Sequence, residues 1–324
     1  MSRTIIVSDL HADTWTDRKI RSTGKDKKQH FFEFLDWCGG AGIRELIING
    51  DLMDLPPYEG QFAFPVGQSV ARDVVVELEK LASNVQVTYV FGNHDIGVSG
   101  FRSMGCNSIP GLRNVNFCYP NYVIDDYAET TILVEHGHFC DPALIFYVRD
   151  LAKRTYVESN FEAFNWVMQR RDVKSPSIVV KPGSLQPADV KTGENAYSAA
   201  RQDQQPPSLW SRIIGWLWQH VRNAAEKPTM EQWRHEAIEE MGKYIGKTKS
   251  EGGKIKPVLY QIYGHTHRAD ARDAEQLAGG VSGIYVNAGT WTDEVDQGWY
   301  LDVDDNGKVW LQDWINEPES LRML

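Results

Sequence analysis

The chain has 324 residues, 42% of them hydrophobic and 11% aromatic, so it can bury a sizeable core. Its formal net charge of −10 argues against a protein that binds nucleic acid through an overall positive surface. Its four cysteines form no CxxC pair, and no apolar run approaches the roughly 20 residues of a membrane span, so we expect a cytoplasmic protein without a transmembrane segment.

Five short apolar runs along the chain each end at a polar residue. The runs are residues 3–8, 45–48, 85–91, 130–134 and 258–262, and the polar residues after them include Asp9, Asp51, Asn93, His136 and His265. Helical patterns at 30–38 and 70–81 separate the first three runs. This alternation predicts a parallel or mixed sheet covered by helices, with ligands bound beyond the carboxyl ends of its strands.

The spacing of these polar residues is regular. Asp9, Asp51, Asn93 and His136 are separated by 42, 42 and 43 residues. One strand–helix–strand unit of ~30 or more residues fits inside each interval. We therefore expect the same architectural step three times, with the polar strand ends converging on one rim.

Residues 142–256 interrupt the alternation. They contain helical patterns at 142–171 and 209–221, a polar segment at 183–208, and a capping box at 229–232 that begins a helix reaching about residue 245. We therefore predict a core formed by residues 1–141 and 257–324, and an all-helical cap formed by 142–256. Residues 141–257 carry 18 Lys+Arg against 14 Asp+Glu, a net charge of +4 that leaves −14 for the rest.

The C-terminal part of the chain reads as β-structure. Residues 283–291 suggest a strand followed by a turn of small residues, and residues 299–314 suggest a hairpin with its turn at 304–307. These strands predict either a second sheet or an antiparallel edge to the first.

The polar residues at the strand ends form a set of nitrogen and oxygen donors without a thiolate. They are Asp9, His11, Asp51, Asn93, His136, His265 and His267. Such a set favours Mn²⁺, Fe²⁺ or Zn²⁺. Seven ligands exceed one tetrahedral site, but with one bridging carboxylate they divide into two sites of four. Two metals side by side can clamp the attacking and leaving oxygens of a displacement reaction.

Each motif taken singly also has a structural explanation. Asp51 could cap the following helix, and the residues around Asn93 could form an ordinary turn. For His138 we prefer a supporting hydrogen bond over direct ligation. The occurrence of five such motifs at five predicted strand ends favours a metal site.

The motifs DLH (9–11), GDLMD (50–54), GNHD (92–95), HGH (136–138) and GHTH (264–267), in this order, resemble those of the calcineurin-like metallophosphoesterases. The resemblance implies an α/β fold, a two-sheet sandwich flanked by helices. It implies hydrolysis of a phosphomonoester, phosphodiester or pyrophosphate bond by a metal-activated hydroxide. Two divalent metal ions would serve as cofactors, with Mn²⁺ expected and Fe²⁺ or Zn²⁺ as alternatives.

The resemblance also assigns roles to individual residues. One metal would be bound by Asp9, His11 and His267. The other would be bound by Asn93, His136 and His265, and Asp51 would bridge the two. His94 would assist the leaving group, with Asp95 orienting it, although an imidazole there could instead only position a phosphate oxygen. The candidate substrate contacts are His138 and Arg268.

The substrate is expected to be a phosphorylated small molecule, a nucleotide or a lipid. The helical insertion is similar to that of the UDP-2,3-diacylglucosamine hydrolases, where added helices cover lipid chains. Those enzymes usually carry Arg where this chain has His94, and their insertion is generally shorter. Trp216 lies off the apolar stripe of its helix, so it could contact a membrane surface or a partner, or pack on a neighbouring helix. A catalytically idle metal-binding scaffold is a further alternative, although no ligand position is broken.

Overall fold

The computed structural model describes most of the predicted core and a small part of the predicted insertion. The described residues are 3–53, 70–92, 112–119, 121–137, 140, 178–180, 256–277, 280–292, 295–316 and 322–323, with positions 232, 235, 237–239, 242 and 245. The predicted metal ligand Asn93, the predicted catalytic residues His94 and Asp95, and the predicted substrate contact His138 lie outside them. Most of the predicted cap does as well, so the division into core and cap stays a prediction.

The bounds of two α-helices, one short 3-10 helix and thirteen strands are described. The α-helices are α1 (Lys27–Gly40) and α2 (Val70–Leu81), and the 3-10 helix is Ala12–Thr14. The strands are β1 (Thr4–Val7), β2 (Glu45–Asn49), β3 (Gln86–Val90), β4 (Val115–Tyr119), β5 (Asn121–Ile124), β6 (Thr130–Glu135), β7 (Ile178–Val180), β8 (Val258–Tyr263), β9 (Asp270–Leu277), β10 (Val281–Asn287), β11 (Trp299–Val303), β12 (Val309–Asp313) and β13 (Arg322–Met323).

The strands form two mixed sheets. The first has eight strands in the order β13-β12-β11-β1-β2-β3-β4-β7, and the second has five in the order β5-β6-β8-β10-β9. Strands β1, β2 and β3 are parallel neighbours in the first sheet. Strand β8 lies between β6 and β10 in the second sheet and is parallel to both.

Alternation along the strands places the core on both faces of the first sheet. Ile5 and Val7 of β1 belong to the cluster that includes the buried face of α1, whereas Ile6 belongs to the cluster between the two sheets. Strands buried on both faces read as continuous apolar runs, as β1 does with the sequence TIIV. The predicted α/β sandwich is therefore confirmed.

The outer face of the second sheet is covered by the segment around residues 237–245. Ala237 is fully buried and clusters with Tyr263 and Tyr285. Ile245 is buried against Leu133 and Leu259. These positions are helical, in the region where the sequence predicts a helix after the capping box. This part of residues 142–256 therefore packs on the core.

Most predicted elements match the structure, with three differences. Strand β7 lies inside the insertion that the sequence predicted to be all-helical, and it pairs antiparallel with β4 of the first sheet, so that prediction was wrong for residues 178–180. Helix α1 begins at Lys27, earlier than the predicted residue 30, because Asp26 and Gln29 form a capping box. The chain also does not repeat one architectural step three times. Strand β6, which ends at Glu135 before His136, lies in the second sheet and is preceded by β4 and β5. The equal sequence spacing therefore conceals a change of sheet.

Both alternatives for the C-terminal strands are present. Strand β10 belongs to the second sheet, whereas β11 pairs antiparallel with β1 and, with β12, extends the first sheet. Among the helices that the structure describes, none is long and apolar enough to cross a membrane.

Candidate metal centre

The carboxyl ends of strands from both sheets meet at one edge of the sandwich. After β1 and β2 the chain continues side by side, with the amide of Asp9 donating to the carbonyl of Gly50 at 3.2 Å and that of His11 to Asp51 at 3.0 Å. After β6 and β8 the amide of Gly264 donates to the carbonyl of His136 at 3.0 Å. The motifs that are far apart in sequence therefore come together here.

The loop after β10 completes this edge. The amide of Trp291 and the hydroxyl of Thr290 both donate to the carbonyl of Asp9, at 3.1 and 2.7 Å. The side-chain amide of Asn287 donates to the carbonyl of Gly264 at 2.7 Å. These bonds hold the loops on which the candidate ligands lie.

Six of the seven predicted ligands form two groups, each able to hold a metal ion. The first group is Asp9, His11 and His267, and the second is Asp51, His136 and His265. Within each group the ligand atoms lie within 4.8 Å of one another. The first group combines the ends of β1 and β8, and the second combines the ends of β2, β6 and β8, as the resemblance implies.

The two groups are adjacent. Asp51 Oδ2 lies 3.0 Å from His136 Nε2 of its own group and 3.9 Å from His11 Nε2 of the other. Asp9 Oδ1 lies 3.4 Å from His267 Nε2 and 4.0 Å from His136 Nε2. Both carboxylates therefore lie between imidazoles of the two groups.

Five candidate ligands have left-handed backbone conformations. Positive φ angles occur at Asp9 (51°), His11 (44°), Asp51 (52°), His265 (65°) and His267 (59°). In the described part of the chain, no other residue apart from glycines has a positive φ. This conformation is unfavourable for residues with a side chain and concentrates at functional sites. The fold holds the strained turns in place through the hydrogen bonds between the loops.

Two glycines allow the backbone to approach the carboxylates. A Cβ atom on Gly264 would lie 2.3 Å from Asp9 Oδ2, and a Cβ atom on Gly92 would lie 2.1 Å from Asp51 Oδ1. Real Cβ atoms essentially never show such contacts. Glycine therefore precedes His265 in GHTH, and Asn93 in GNHD, because any side chain would displace a candidate ligand.

The carboxylates of Asp9 and Asp51 are buried close to each other, and their charges interact with the neighbouring imidazoles. Asp9 is fully buried and Asp51 is 1% exposed. Burial would raise the pKa of Asp9, but the charges of His136 and His267 outweigh it and lower that pKa below its ordinary value. Burial would lower the pKa of His136, but the charges of Asp51 and Asp9 outweigh it and raise that pKa to about 10.

Both oxygens of Asp9 are held by neighbouring groups. The hydroxyl of Ser8 lies 2.5 Å from Asp9 Oδ2, and the amide of His265 lies 3.0 Å from Oδ1 and 2.9 Å from Oδ2. His136 donates from Nδ1 to the carbonyl of Asn49 at 2.8 Å, which leaves its Nε2 directed at Asp51. Such partners fix the orientation of metal-binding side chains.

These residues fit a pair of divalent cations. The donors are carboxylate oxygens and imidazole nitrogens, which Mn²⁺, Fe²⁺ and Zn²⁺ all accept. Buried charges of like sign are costly unless an opposite charge compensates them. In the metal-free chain the proton on His136 supplies part of that charge. Interactions with Asp9 outweigh burial and raise the pKa of His267 above its ordinary value as well.

The remaining predicted residues have different positions. Arg268 is exposed directly after His267, where the sequence places a substrate contact. Sequence reasoning missed three residues that support the centre: Ser8, Asn49 and Asn287. Each is a small polar residue at or next to a strand end, which is the signal that could have identified them. Ser8 and Asn49 also directly precede the motifs DLH and GDLMD, whereas Asn287 is not beside a motif.

The chain matches one protein family and has distant likenesses among solved structures. A family model described as calcineurin-like phosphoesterase matches residues 2–269. The chain is similar in structure to a dimetal phosphatase from Danio rerio, with 11% identity, a TM-score of 0.46, and coverage of 96% of this chain and 95% of that one. It is also similar to Vps29 from Entamoeba histolytica, with 12% identity, a TM-score of 0.36, and coverage of 99% and 98%.

These likenesses are too distant to bear on activity, and no curated protein matches the chain. The family match extends over most of the chain and includes all five motifs. The chain therefore belongs to the calcineurin-like phosphoesterase family and is a metal-dependent hydrolase of phosphoester bonds.

Proposed function

We propose that the protein hydrolyses a phosphomonoester, phosphodiester or pyrophosphate at a dinuclear metal centre. One metal would be held by Asp9, His11 and His267. The other would be held by Asp51, His136 and His265, with Asn93 as a further ligand. Asp51 would be shared between the two.

The position of Asp51 carries this proposal. Its Oδ2 lies within 4 Å of one imidazole from each group, 3.0 Å from His136 Nε2 and 3.9 Å from His11 Nε2. A buried carboxylate between two sets of imidazole nitrogen donors is suited to serve both. A single metal site would use only half of the imidazoles that converge on this edge.

Two divalent cations at this centre would polarise a phosphoryl oxygen and lower the pKa of a water molecule. The chain itself orients the ligands through its strained turns and buries Asp9 and His11, whereas His267 of the same group remains partly exposed. We assign to His94 the donation of a proton to the leaving oxygen, with Asp95 orienting its ring. Arg268 is exposed beside His267, and we assign to it a contact with a further anionic group of the substrate.

For the native metal we propose Mn²⁺, with Fe²⁺ and Zn²⁺ as alternatives. The donor set of carboxylates, imidazoles and one amide has no thiolate to favour a softer ion. Metal identity is tested by reconstituting metal-free protein with each ion and comparing turnover.

An alternative substrate is a lipid-linked nucleotide pyrophosphate, as in the UDP-2,3-diacylglucosamine hydrolases. The long segment 142–256 favours it, since a helical cap would shield acyl chains and could touch a membrane surface or a partner. His94, where those enzymes usually carry Arg, favours an ordinary ester with a general acid. A lipid substrate predicts turnover that depends on detergent micelles or vesicles. A soluble nucleotide or a small phosphorylated molecule predicts turnover that is the same with and without them.

The proposal is tested with two chromogenic substrates, a phosphodiester and a phosphomonoester, each assayed with and without Mn²⁺. The variants are Asp51→Asn and, as a matched control, Asp36→Asn, an exposed carboxylate of α1. We expect metal-dependent turnover that Asp51→Asn abolishes and Asp36→Asn retains. Tight Mn²⁺ binding without turnover of esters, pyrophosphates or lipid-linked substrates would instead support an idle scaffold.

A further inference from the structure

Asn49 lies between the two groups of candidate ligands without belonging to either. It is the last residue of β2 and is fully buried. Its carbonyl accepts hydrogen bonds from Ser8 Oγ at 2.6 Å and from His136 Nδ1 at 2.8 Å. The Asn49 carbonyl thus accepts one hydrogen bond from Ser8, which follows β1 of the first sheet, and another from His136, which follows β6 of the second sheet.

The side chain of Asn49 makes a second bond to the same region of the second sheet. Its Nδ2 donates to the carbonyl of Glu135 at 3.1 Å, and Glu135 directly precedes His136. Asn49 therefore contacts both the ring of His136 and the main chain that carries it. The bond to Nδ1 restricts the orientation of the His136 ring, and the bond to the Glu135 carbonyl restricts the main chain that carries it.

The same residue is linked to the carboxylates. Ser8, whose hydroxyl contacts the Asn49 carbonyl, also contacts Asp9 Oδ2 at 2.5 Å. Asp51 lies two residues after Asn49, and its Oδ2 lies 3.0 Å from His136 Nε2. A shift of Asn49 would thus change the distance between Asp51 and His136, which belong to one group.

The amide of Asn49 is not explained by packing. Its Oδ1 is buried and has no hydrogen-bond partner among the described residues. A buried acceptor without a partner costs free energy, so an apolar side chain of similar size would pack at lower cost. The feature that an apolar residue could not supply is the Nδ2 donor to Glu135.

We infer that Asn49 is a positioning residue for the metal group of Asp51, His136 and His265. It acts by holding His136 from the opposite sheet and is not itself a ligand. The inference rests on the proposed dinuclear centre. Loss of a partner that orients a metal-binding histidine typically weakens metal affinity by ~10–100-fold.

The first test is Mn²⁺ binding to the metal-free, full-length protein, measured by titration calorimetry for wild type and Asn49→Ala. The matched control is Gln312→Ala, another buried amide, whose bonds are to Tyr300 and Asp302 and to no candidate ligand. We expect Asn49→Ala to weaken one of two binding steps by ~10-fold or more. Gln312→Ala should leave both unchanged even if it lowers the melting temperature.

The affected site is identified in two backgrounds that each retain one group. In His11→Ala the remaining site contains His136, and adding Asn49→Ala should weaken it. In His136→Ala the remaining site contains Asp9, and adding Asn49→Ala should leave it unchanged. Equal losses in the two backgrounds would overturn the inference, because a general loss of structure would not select one site.

A second variant covers the case in which Asn49→Ala does not fold. Asn49→Leu keeps about the size of the side chain but removes the donor to Glu135 without adding a charge, so it should show the same selective loss. Wild type that takes up no Mn²⁺ would contradict the proposed function. Wild type that binds two Mn²⁺ while both Asn49 variants bind them equally well would contradict only the role of Asn49.

Discussion

The backbone amide of His265 donates to both carboxylate oxygens of Asp9, at 3.0 and 2.9 Å. Asp9 follows β1 of the first sheet, and His265 follows β8 of the second. The turn that supplies two imidazoles thus also orients a carboxylate of the opposite sheet. A hydrogen bond from a backbone amide to a carboxylate stabilises its charged form, which is the form that binds a cation.

The residue before His265 should therefore tolerate no side chain. A Cβ atom at Gly264 would lie 1.9 Å from Ser8 Oγ and 2.3 Å from Asp9 Oδ2. We expect Gly264→Ala to displace Asp9, to lower the metal content of the purified protein and to reduce turnover by at least ~10-fold. Metal content is measured by elemental analysis and turnover with the preferred chromogenic ester.

The control is Gly40→Ala at the end of α1, where an added Cβ atom meets nothing within 4 Å. It should retain both metal and activity. A Gly264→Ala protein with full metal content and unchanged turnover would show that the contact between this turn and Asp9 is not needed.

The sequence predicted those parts of the centre that depend on local pattern. Apolar runs gave strands β1, β2, β3, β6 and β8 to within a residue or two, and the polar residues after them include six ligands that the structure brings together. The order of the motifs carried the family assignment. Strands β4, β5 and β9 were not predicted. The sequence DARDAEQL of β9, an edge strand of the second sheet, has no run of apolar residues.

Other features depend on contacts between distant parts of the chain. Asn49 and Glu135 are 86 residues apart, and no periodicity records their hydrogen bond. The left-handed turns at Asp9 and His265 are likewise imposed by the surrounding loops, since neither residue type favours them enough to be predicted. The change of sheet between β4 and β5 was hidden because a regular spacing constrains chain length and not direction.

Metal uptake by the metal-free protein should release protons. Asp51 and Asp9 raise the pKa of His136 to about 10, so this ring is protonated at pH 7 when no metal is bound. A metal requires the neutral imidazole, and its binding therefore expels that proton. Since a proton with a pKa of about 10 competes with the metal, apparent Mn²⁺ affinity should increase as the pH rises through the neutral range towards 10.

The released protons are measured by repeating the calorimetric titration in buffers of different ionisation enthalpy. His136→Ala should release fewer protons for each metal that still binds. A binding enthalpy that does not change between buffers would contradict the protonation of His136 in the metal-free protein.

Removal of the metals should destabilise the fold. A ligand that binds only the folded state contributes about 2.7 kcal/mol when its free concentration is 100 times Kd. Chelation should therefore lower the melting temperature of wild type, and added Mn²⁺ should restore it. The difference should be much smaller for Asp51→Asn, which loses the shared ligand, and unchanged for Asp36→Asn. Equal shifts in all three proteins would show that the chelator acts elsewhere.

The role of His94 can be separated from a role in holding the phosphate. Replacement of a general acid slows turnover by ~10²–10⁴-fold without removing the metals. If His94 donates a proton to the leaving oxygen, His94→Ala should affect a substrate with a strongly basic leaving group, such as an alkyl phosphate, far more than a nitrophenyl ester. A nitrophenolate leaves readily without a proton. The rates with the nitrophenyl ester and the alkyl phosphate can therefore be compared within the same His94→Ala protein.

The matched control is His235→Ala, which removes an exposed imidazole paired with Glu239 on the surface and should leave both rates unchanged. Metal content is measured in parallel so that a lost ligand is not mistaken for a lost acid. An equal fall in rate for the two leaving groups, with both metals retained, would assign His94 to phosphate positioning. An unchanged rate for both would remove it from the mechanism, and the proton of the leaving group would then have to come from another group at the centre.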